Sequence, residues 1–431
     1  MSARASVWRH IWRDVVLLGL GSVGVVAAQL AFRSILIASL VPASYGRLSL
    51  VLSIYNTIWI LGTSGLPNSV SRFLAINGPA DDRAIVRAAL RANGWLTLGA
   101  AAVMALVAGI LLDSVLAAVL AGAGLAGMVY SLLTMGILRG RGKIGRAASV
   151  MPIAALGELL PLALLYFVVG AHIDPISGFA TFCLGNMIGV GFGIFFVLRT
   201  RPRLLGAPPP NPDPPGPRQL LGFSLWLAAA TAGLSALPLI VRTAAAFDSY
   251  TVVAVIDVAL VLFTIPQRLG TVIVLAAIPR ASRAVQDERV DLTIPLRGQL
   301  IAIVPFALVA ALIAFTPWTG DVFAAIGRPE YGSSAKYLAL ALLAGPARIL
   351  YGLVESALVA HGEGRFLAFN VLSVTGIAAV AMIVAAALGS VTGAFLIFVA
   401  AFWIIYFQGM RRVRRLAEAG AASAVPVAAP A

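Results

Sequence analysis

Charged residues are scarce in this chain. Asp, Glu, Lys and Arg make up 11% of its 431 residues, less than half of the roughly 25% that a soluble domain carries. So little charge cannot cover a large water-exposed globule. With 60% hydrophobic residues and a mean hydropathy of +0.97, intrinsic disorder is excluded as well. Cysteine is nearly absent: Cys183 alone permits no internal disulfide. Three scattered histidines, His10, His172 and His361, offer no material for a histidine-centred metal site. No GxxxxGK[ST] run is present to cradle a nucleotide phosphate, and no cofactor is expected. The composition leaves a polytopic membrane protein.

A bilayer-crossing helix needs about 20 mostly apolar residues. Twelve such runs are read, at 15–40, 48–74, 95–112, 115–138, 147–169 and 179–198, then 221–241, 250–278, 300–315, 338–360, 366–388 and 391–407. The shorter ones can borrow flanking residues and the longer ones can tilt. Pro67 and Pro266 are expected to bend the second and eighth runs. The first run is too long for the apolar core of a signal peptide and contains Arg33, so it reads as a retained helix.

The formal net charge of +14 is explained by position. With the N-terminus placed in the cytoplasm, 24 of the 31 Lys and Arg fall on inside segments, 4 on outside segments and 3 within spans. That bias follows the positive-inside rule. Nucleic-acid binding would need the charge gathered on one surface beside a readout element, and here it is spread over seven short segments, where it can touch anionic lipid. A multi-pass inner or plasma membrane protein of a bacterium or archaeon, with both termini cytoplasmic, is expected.

One joint stands out. Residues 200–219 read TRPRLLGAPPPNPDPPGPRQ, a proline-rich spacer. The expected organisation is a cytoplasmic N-terminus at 1–14, a six-helix bundle at 15–198, a linker at 199–219, a second six-helix bundle at 220–410, and a basic then Ala/Pro-rich tail at 411–431. Two even-numbered halves enter the membrane in the same sense, as in a parallel repeat. Ala43-Ser44-Tyr45 and Asp248-Ser249-Tyr250 precede the second and eighth runs at an offset of 205, and Gly65 matches Gly270 at the same offset. Arg141-Gly142-Lys143 and Glu363-Gly364-Arg365 follow runs four and ten at an offset of 222. The extra length falls in the outside loop 316–336, where the first half has only Asp113-Ser114.

The stretch Leu40-Val41-Pro42-Ala43-Ser44-Tyr45-Gly46, followed by Gly65-Leu66-Pro67 and Arg72-Phe73, resembles the N-terminal signature of Wzx-like polysaccharide and O-antigen flippases. These form a branch of the multidrug/oligosaccharidyl-lipid/polysaccharide exporter superfamily. Arg139-Gly140-Arg141-Gly142-Lys143 looks like the basic turn after that family's fourth helix, and FAAIGRPEY at 323–331 like its loop before helix ten. The resemblance covers most of 15–410. It departs at the end of the seventh run, where Val241-Arg242 stands in place of an Asp-Arg pair. It implies an all-α, V-shaped exporter fold of twelve transmembrane helices in two pseudo-symmetric six-helix bundles. It also implies alternating-access flipping of a polyprenyl-diphosphate-linked oligosaccharide to the outer leaflet for lipopolysaccharide or exopolysaccharide synthesis. A polysaccharide polymerase and glycosyltransferases are the protein partners such a role implies, with membrane lipids around the chain and no nucleic acid.

Charges inside a bilayer cost about 2.5–3.5 kcal/mol each on insertion scales, so those within the spans should face a bundle interior or a wet cavity. Ser22, Gln29 and Arg33 share one face of the first helix. An arginine fork suits phosphate oxygens in a low-dielectric groove, which makes Arg33 the first diphosphate candidate. Arg268, Arg348, Arg242 and Gln29 are further cavity candidates, Arg242 alternatively as an interface anchor. Asp257, Glu158 and Glu355 are candidates for ion coupling, with structural polar contacts as the competing role. Arg348, Tyr351 and Glu355 share one face of the tenth helix, the two charges about 10 Å apart. Asn56, Asn68 and Asn186 can meet sugar hydroxyls or bond neighbouring helices, and Trp8, Trp12 and Trp95 read as interface-belt aromatics.

A cation-coupled small-molecule exporter of the same superfamily is the alternative, and would call for acidic residues to dominate the cavity. A membrane enzyme is disfavoured: the longest outside loop, 316–336, holds Asp321, Arg328 and Glu330 but no histidine, and no nucleophile–base arrangement is visible.

Overall fold

The computed structural model describes residues 3–77, 81–170, 172–200, 216–286, 296–316, 318–325 and 327–423. Within these, the side chains of 3–20, 75–77, 223, 275–286, 296–302, 315, 318–319 and 419–423 lie outside the description. So do most of the linker, the end of the tail, and the side chains of Trp8 and Trp12. Among the described residues the chain is helical throughout, without a strand. A helix is the form in which an apolar segment satisfies its own backbone inside lipid.

The helices are α1 (Ala3–Ser39), α2 (Pro42–Thr63), α3 (Leu66–Asn77), α4 (Asp82–Leu112), α5 (Val115–Gly140), α6 (Ile144–Ala163), α7 (Pro175–Arg199), α8 (Pro217–Ala246), α9 (Tyr250–Gln286), α10 (Leu296–Phe315), α11 (Trp318–Ala325), α12 (Ser334–Ala360), α13 (Gly364–Ala387) and α14 (Val391–Ser423). Among described residues, ten helices are long and apolar enough to cross a membrane. The pair α2 and α3 makes an eleventh span bent by 41°, and the shorter apolar helix Ile303–Ala314 lies within α10. These correspond one to one with the twelve runs read from the sequence. Large apolar side chains such as Leu106, Ile110, Val115, Phe369 and Ile377 stand exposed on the outer faces, as lipid-facing positions should.

The bend in the second run is real, but its cause is not Pro67. Ser64 (φ 43°) and Gly65 (φ 71°) both adopt the left-handed conformation, which ends α2. Pro67 then stands in the first turn of α3, a position proline favours. Pro266 lies inside the continuous α9. The tight turn expected at Asp113-Ser114 is present. Asp113 is left-handed (φ 50°), and the Ser114 hydroxyl accepts a bond from the Ala117 N–H at 3.2 Å. Pro161 removes a helical donor next to Glu158, and α6 continues as a π-helical turn over Leu164–Val169.

Two six-helix halves repeat the same packing. In the first half α1 packs on α6, α3 and α4 on α5, and α7 on α5 and α6. In the second half α8 packs on α13, α9 and α10 on α12, and α14 on α12 and α13. The repeat also fixes the register after the fourth and tenth spans. The N–H groups of Arg141, Gly142 and Lys143 bond to the carbonyls of Ile137, Arg139 and Leu138. Those of His361, Gly362 and Glu363 bond to the carbonyls of Ala357, Val359 and Leu358. Gly142 (φ 71°) and Gly362 (φ 75°) match, so the true offset is 220, not the 222 suggested by the glycine triplets.

The halves meet mainly through α1 and α2 against α8 and α9. Gly46 allows this contact, because a Cβ there would collide with the Tyr250 carbonyl oxygen. Gly46 and Arg47, which follow the first Ser-Tyr segment, therefore touch Tyr250 of the second across the junction, with Arg47 over the Tyr250 ring at 5.4 Å.

Candidate functional site

Between the halves lies a cavity of about 350 Å³. Its walls are helical stripes at three- and four-residue spacing. From α1 come Ser22, Val25, Gln29 and Arg33. From α5 come Met128, Leu132, Met135 and Arg139, and from α8 Thr231, Ser235, Pro238 and Arg242. α9 supplies Thr264, Gln267, Arg268 and Thr271, while α12 supplies Arg348 and Glu355 and α6 supplies Glu158. The polar face expected on the first helix does line this space. Five arginines and two glutamates border it.

At the end where α1 turns into α2, the cavity is closed by a buried charge cluster. Asp257 of α9 is fully buried. Its Oδ1 accepts from Arg242 Nε at 2.8 Å and Nη2 at 2.5 Å. Its Oδ2 accepts from the Tyr45 hydroxyl at 2.5 Å and from Arg33 Nη1 at 3.3 Å. Arg33 and Tyr45 belong to the first half, Arg242 and Asp257 to the second, so a single carboxylate ties the halves together. Behind it, Tyr331 packs edge-on to Tyr45 at 6.4 Å between ring centroids, and Arg328 donates to the Ala38 carbonyl. The loop motif FAAIGRPEY thus sits on the Ala-Ser-Tyr-Gly turn. At the opposite end the halves meet more lightly: the Ser69 hydroxyl donates to the Leu220 carbonyl at 2.9 Å.

Deeper in the cavity the charges are less satisfied. Glu158, 4% exposed, lies within electrostatic reach of Arg268 and Arg33 but forms no ion pair among the described residues. Arg139 reaches Asn68 at a long 3.4 Å, and its buried Nε has no partner among the described residues. Arg348 donates to the Thr271 hydroxyl, also at 3.4 Å, while its Nε and Nη1 are buried without partners. Glu355 Oε2 and the Tyr351 hydroxyl are in the same condition.

The structure therefore brings Gln29, Arg33, Arg242, Arg268, Arg348, Glu158 and Glu355 to one space and holds Asp257 behind its wall. Arg242 is 6% exposed and locked to Asp257, which excludes the interface-anchor role. The Asp-Arg pairing missing from the end of the seventh run is restored by the next helix. Asn56 and Asn68 line the cavity. Asn186 does not: its amide donates to the Phe182 carbonyl of its own helix. Trp95 is exposed on α4. Arg139 was read as part of a cytoplasmic turn, yet it lies within α5 on the cavity face. Its spacing from Met128, Leu132 and Met135 carried that signal.

No protein-family model matches the chain, and no curated protein does. Solved structures of the same fold do match. One is an outward-facing conformation of a multidrug resistance MATE family transporter of the MOP superfamily (17% identity, TM-score 0.70, 96% of this chain and 97% of that one). Another is an inward-facing conformation of such a transporter (16% identity, TM-score 0.58, 93% and 96%). A third is a MOP superfamily transporter from Pyrococcus furiosus Vc1, for which reversed polarity of the binding pocket is said to suggest a different function (15% identity, TM-score 0.67, 96% of each chain). The chain has the fold of the MATE transporters of the MOP superfamily, twelve transmembrane helices in two pseudo-symmetric bundles.

Proposed function

We propose that this protein is an alternating-access transporter of the Wzx-like flippase type. It moves a polyprenyl-diphosphate-linked oligosaccharide from the cytoplasmic to the outer leaflet for cell-surface polysaccharide synthesis. The supporting observation is the sign of the cavity. Arg33, Arg139, Arg242, Arg268 and Arg348 border it against Glu158 and Glu355, and adding the buried Asp257 still leaves two positive charges in surplus. A cavity of that sign attracts a diphosphate and repels an organic cation. Arg268 and Arg139 are best placed to grip the phosphates, since neither has a carboxylate within ion-pair distance among the described residues. Arg33 and Arg242 act first as the latch on Asp257.

On this reading the two six-helix halves, joined by the linker at 199–219, rock about the junction of α2 and α9. Both termini lie in the cytoplasm, and the Tyr45 end faces outward. Energy comes from an ion gradient, the membrane potential or consumption of the flipped lipid. A polymerase and glycosyltransferases work upstream and downstream of it.

A small-molecule exporter is the second reading, favoured by the multidrug transporters that share the fold and by the two glutamates in the cavity. Binding to purified protein in nanodiscs separates the two. Undecaprenyl diphosphate should bind and tetraphenylphosphonium should not; the reverse result refutes the flippase reading. In cells, deletion should cause polyprenyl-linked saccharide to accumulate, as read by mass spectrometry.

A further inference from the structure

Resting on the flippase reading, we propose that the adjoining cavity stripes of α9 and α12 form the saccharide-reading wall of the cavity, apart from the arginines that grip the diphosphate. Arg348 and Glu355 are 6% and 4% exposed, both border the cavity, and they make no ion pair with each other. Seven helical residues separate them, about 10 Å along the axis. Buried polar atoms are nearly always bonded. Here Arg348 Nε and Nη1 and Glu355 Oε2 have no partner among the described residues, in contrast to Asp257, whose two oxygens accept four hydrogen bonds.

The chemistry of the wall selects its ligand. Glu355 turns away a simple anion, and Arg348 turns away a simple cation. A neutral, hydroxyl-rich group suits both, because each sugar hydroxyl donates to a carboxylate and accepts from a guanidinium. The helix packed beside α12 is matched to this. Thr264, Gln267 and Thr271 of α9 line the same cavity at i, i+3, i+7 spacing. The hydroxyls of Thr264 and Thr271 donate to carbonyls of their own helix, which leaves lone pairs for a ligand.

The test uses the full chain in nanodiscs with two probes, undecaprenyl diphosphate and undecaprenyl diphosphate carrying a disaccharide. Wild type should bind the saccharide-bearing lipid at least about tenfold more tightly, the scale of one hydrogen bond to a charged group. Glu355→Gln and Arg348→Gln should abolish most of that advantage while moving binding of the bare lipid only slightly and in opposite directions, tighter for Glu355→Gln and weaker for Arg348→Gln as the cavity charge changes, whereas Arg268→Gln should weaken both strongly. If either α12 variant unfolds early, Thr271→Val replaces it with the same expected loss. Equal affinity of wild type for the two lipids overturns the saccharide wall alone. Equal weakening of both lipids by Arg348→Gln assigns that arginine to the diphosphate and overturns its role here. Binding of neither lipid to wild type overturns the flippase reading together with this proposal.

Discussion

Replacing Asp257 should reverse the sign of a second mutation, and this is the sharpest consequence of the cluster at the Tyr45 end. In the native protein the carboxylate neutralises Arg242 through two bonds of 2.5–2.8 Å and touches Arg33 at a longer 3.3 Å. Arg33→Gln therefore removes the weaker contact and leaves Asp257 with Arg242 and Tyr45. A hydrogen bond to a charged group contributes about 1.5–3 kcal/mol, and the long distance places this one near the lower end. Asp257→Asn is a different perturbation. It strands two guanidinium groups, 13% and 7% exposed, beside one another without a carboxylate at ion-pair distance among the described residues. Breaking a buried pair in this way costs about 3–5 kcal/mol.

In that background Arg33→Gln removes an uncompensated charge. It should restore stability where it lowered it in wild type. Cys183 is the chain's single cysteine and is buried, so a thiol-reactive fluorophore reports unfolding of the intact protein during a thermal ramp. The expected order of midpoints is wild type, Arg33→Gln, the Arg33→Gln/Asp257→Asn double variant, then Asp257→Asn. A double variant less stable than Asp257→Asn would refute the claim that both arginines depend on one carboxylate.

Other consequences are open to the same assay. Gly65→Ala should cost about 1–2 kcal/mol from its left-handed backbone alone, and more because the new Cβ would stand 2.7 Å from the Ser224 carbonyl oxygen; a neutral result would mean that the α2–α3 break is not needed. Arg141 grips Asp82 through two bonds of 2.8 and 2.7 Å, so Asp82→Asn should lower the midpoint by the equivalent of about 1.5–3 kcal/mol. Asp174 caps α7. Burial works to raise its carboxyl, but the Ser177 N–H and hydroxyl outweigh that and hold it below the ordinary 3.8. Its contribution is thus complete above that ordinary value and fades as pH falls through the lowered one. Asp174→Ala should cost about 1 kcal/mol at neutral pH and lose the corresponding acid-side dependence.

The spans were legible because length and apolarity suffice to define a bilayer helix. The bend at 64–65 was legible only in part: proline drew attention to Pro67, whereas a left-handed serine beside Gly65 breaks the helix, and serine carries no such signal. The repeat was visible in short motifs, yet its register after the fourth and tenth spans was misread by two residues. Glycine triplets align by composition, and only the turn hydrogen bonds show which glycine is left-handed. Most candidate charges were found because a charge in an apolar run is conspicuous. Their pairing was not, since Asp257 reaches Arg33 across 224 residues of sequence. Arg139 escaped because it stands two residues from a basic turn and was read with its neighbours.

Arg33 and Arg242 each come from the opening helix of their half, near that helix's end, but they share one anion. A symmetric pair held by an odd number of opposite charges cannot separate evenly. When the lobes part, Asp257 leaves with Arg242 and the second lobe departs neutral at this point. The first lobe is left with a bare guanidinium, and the carboxylate of Glu158 lies on the helix packed beside it. If the lobes alternate as proposed, the duplicated architecture works like a ratchet with one toothed side: every cycle sets down its uncovered positive charge on the same wall.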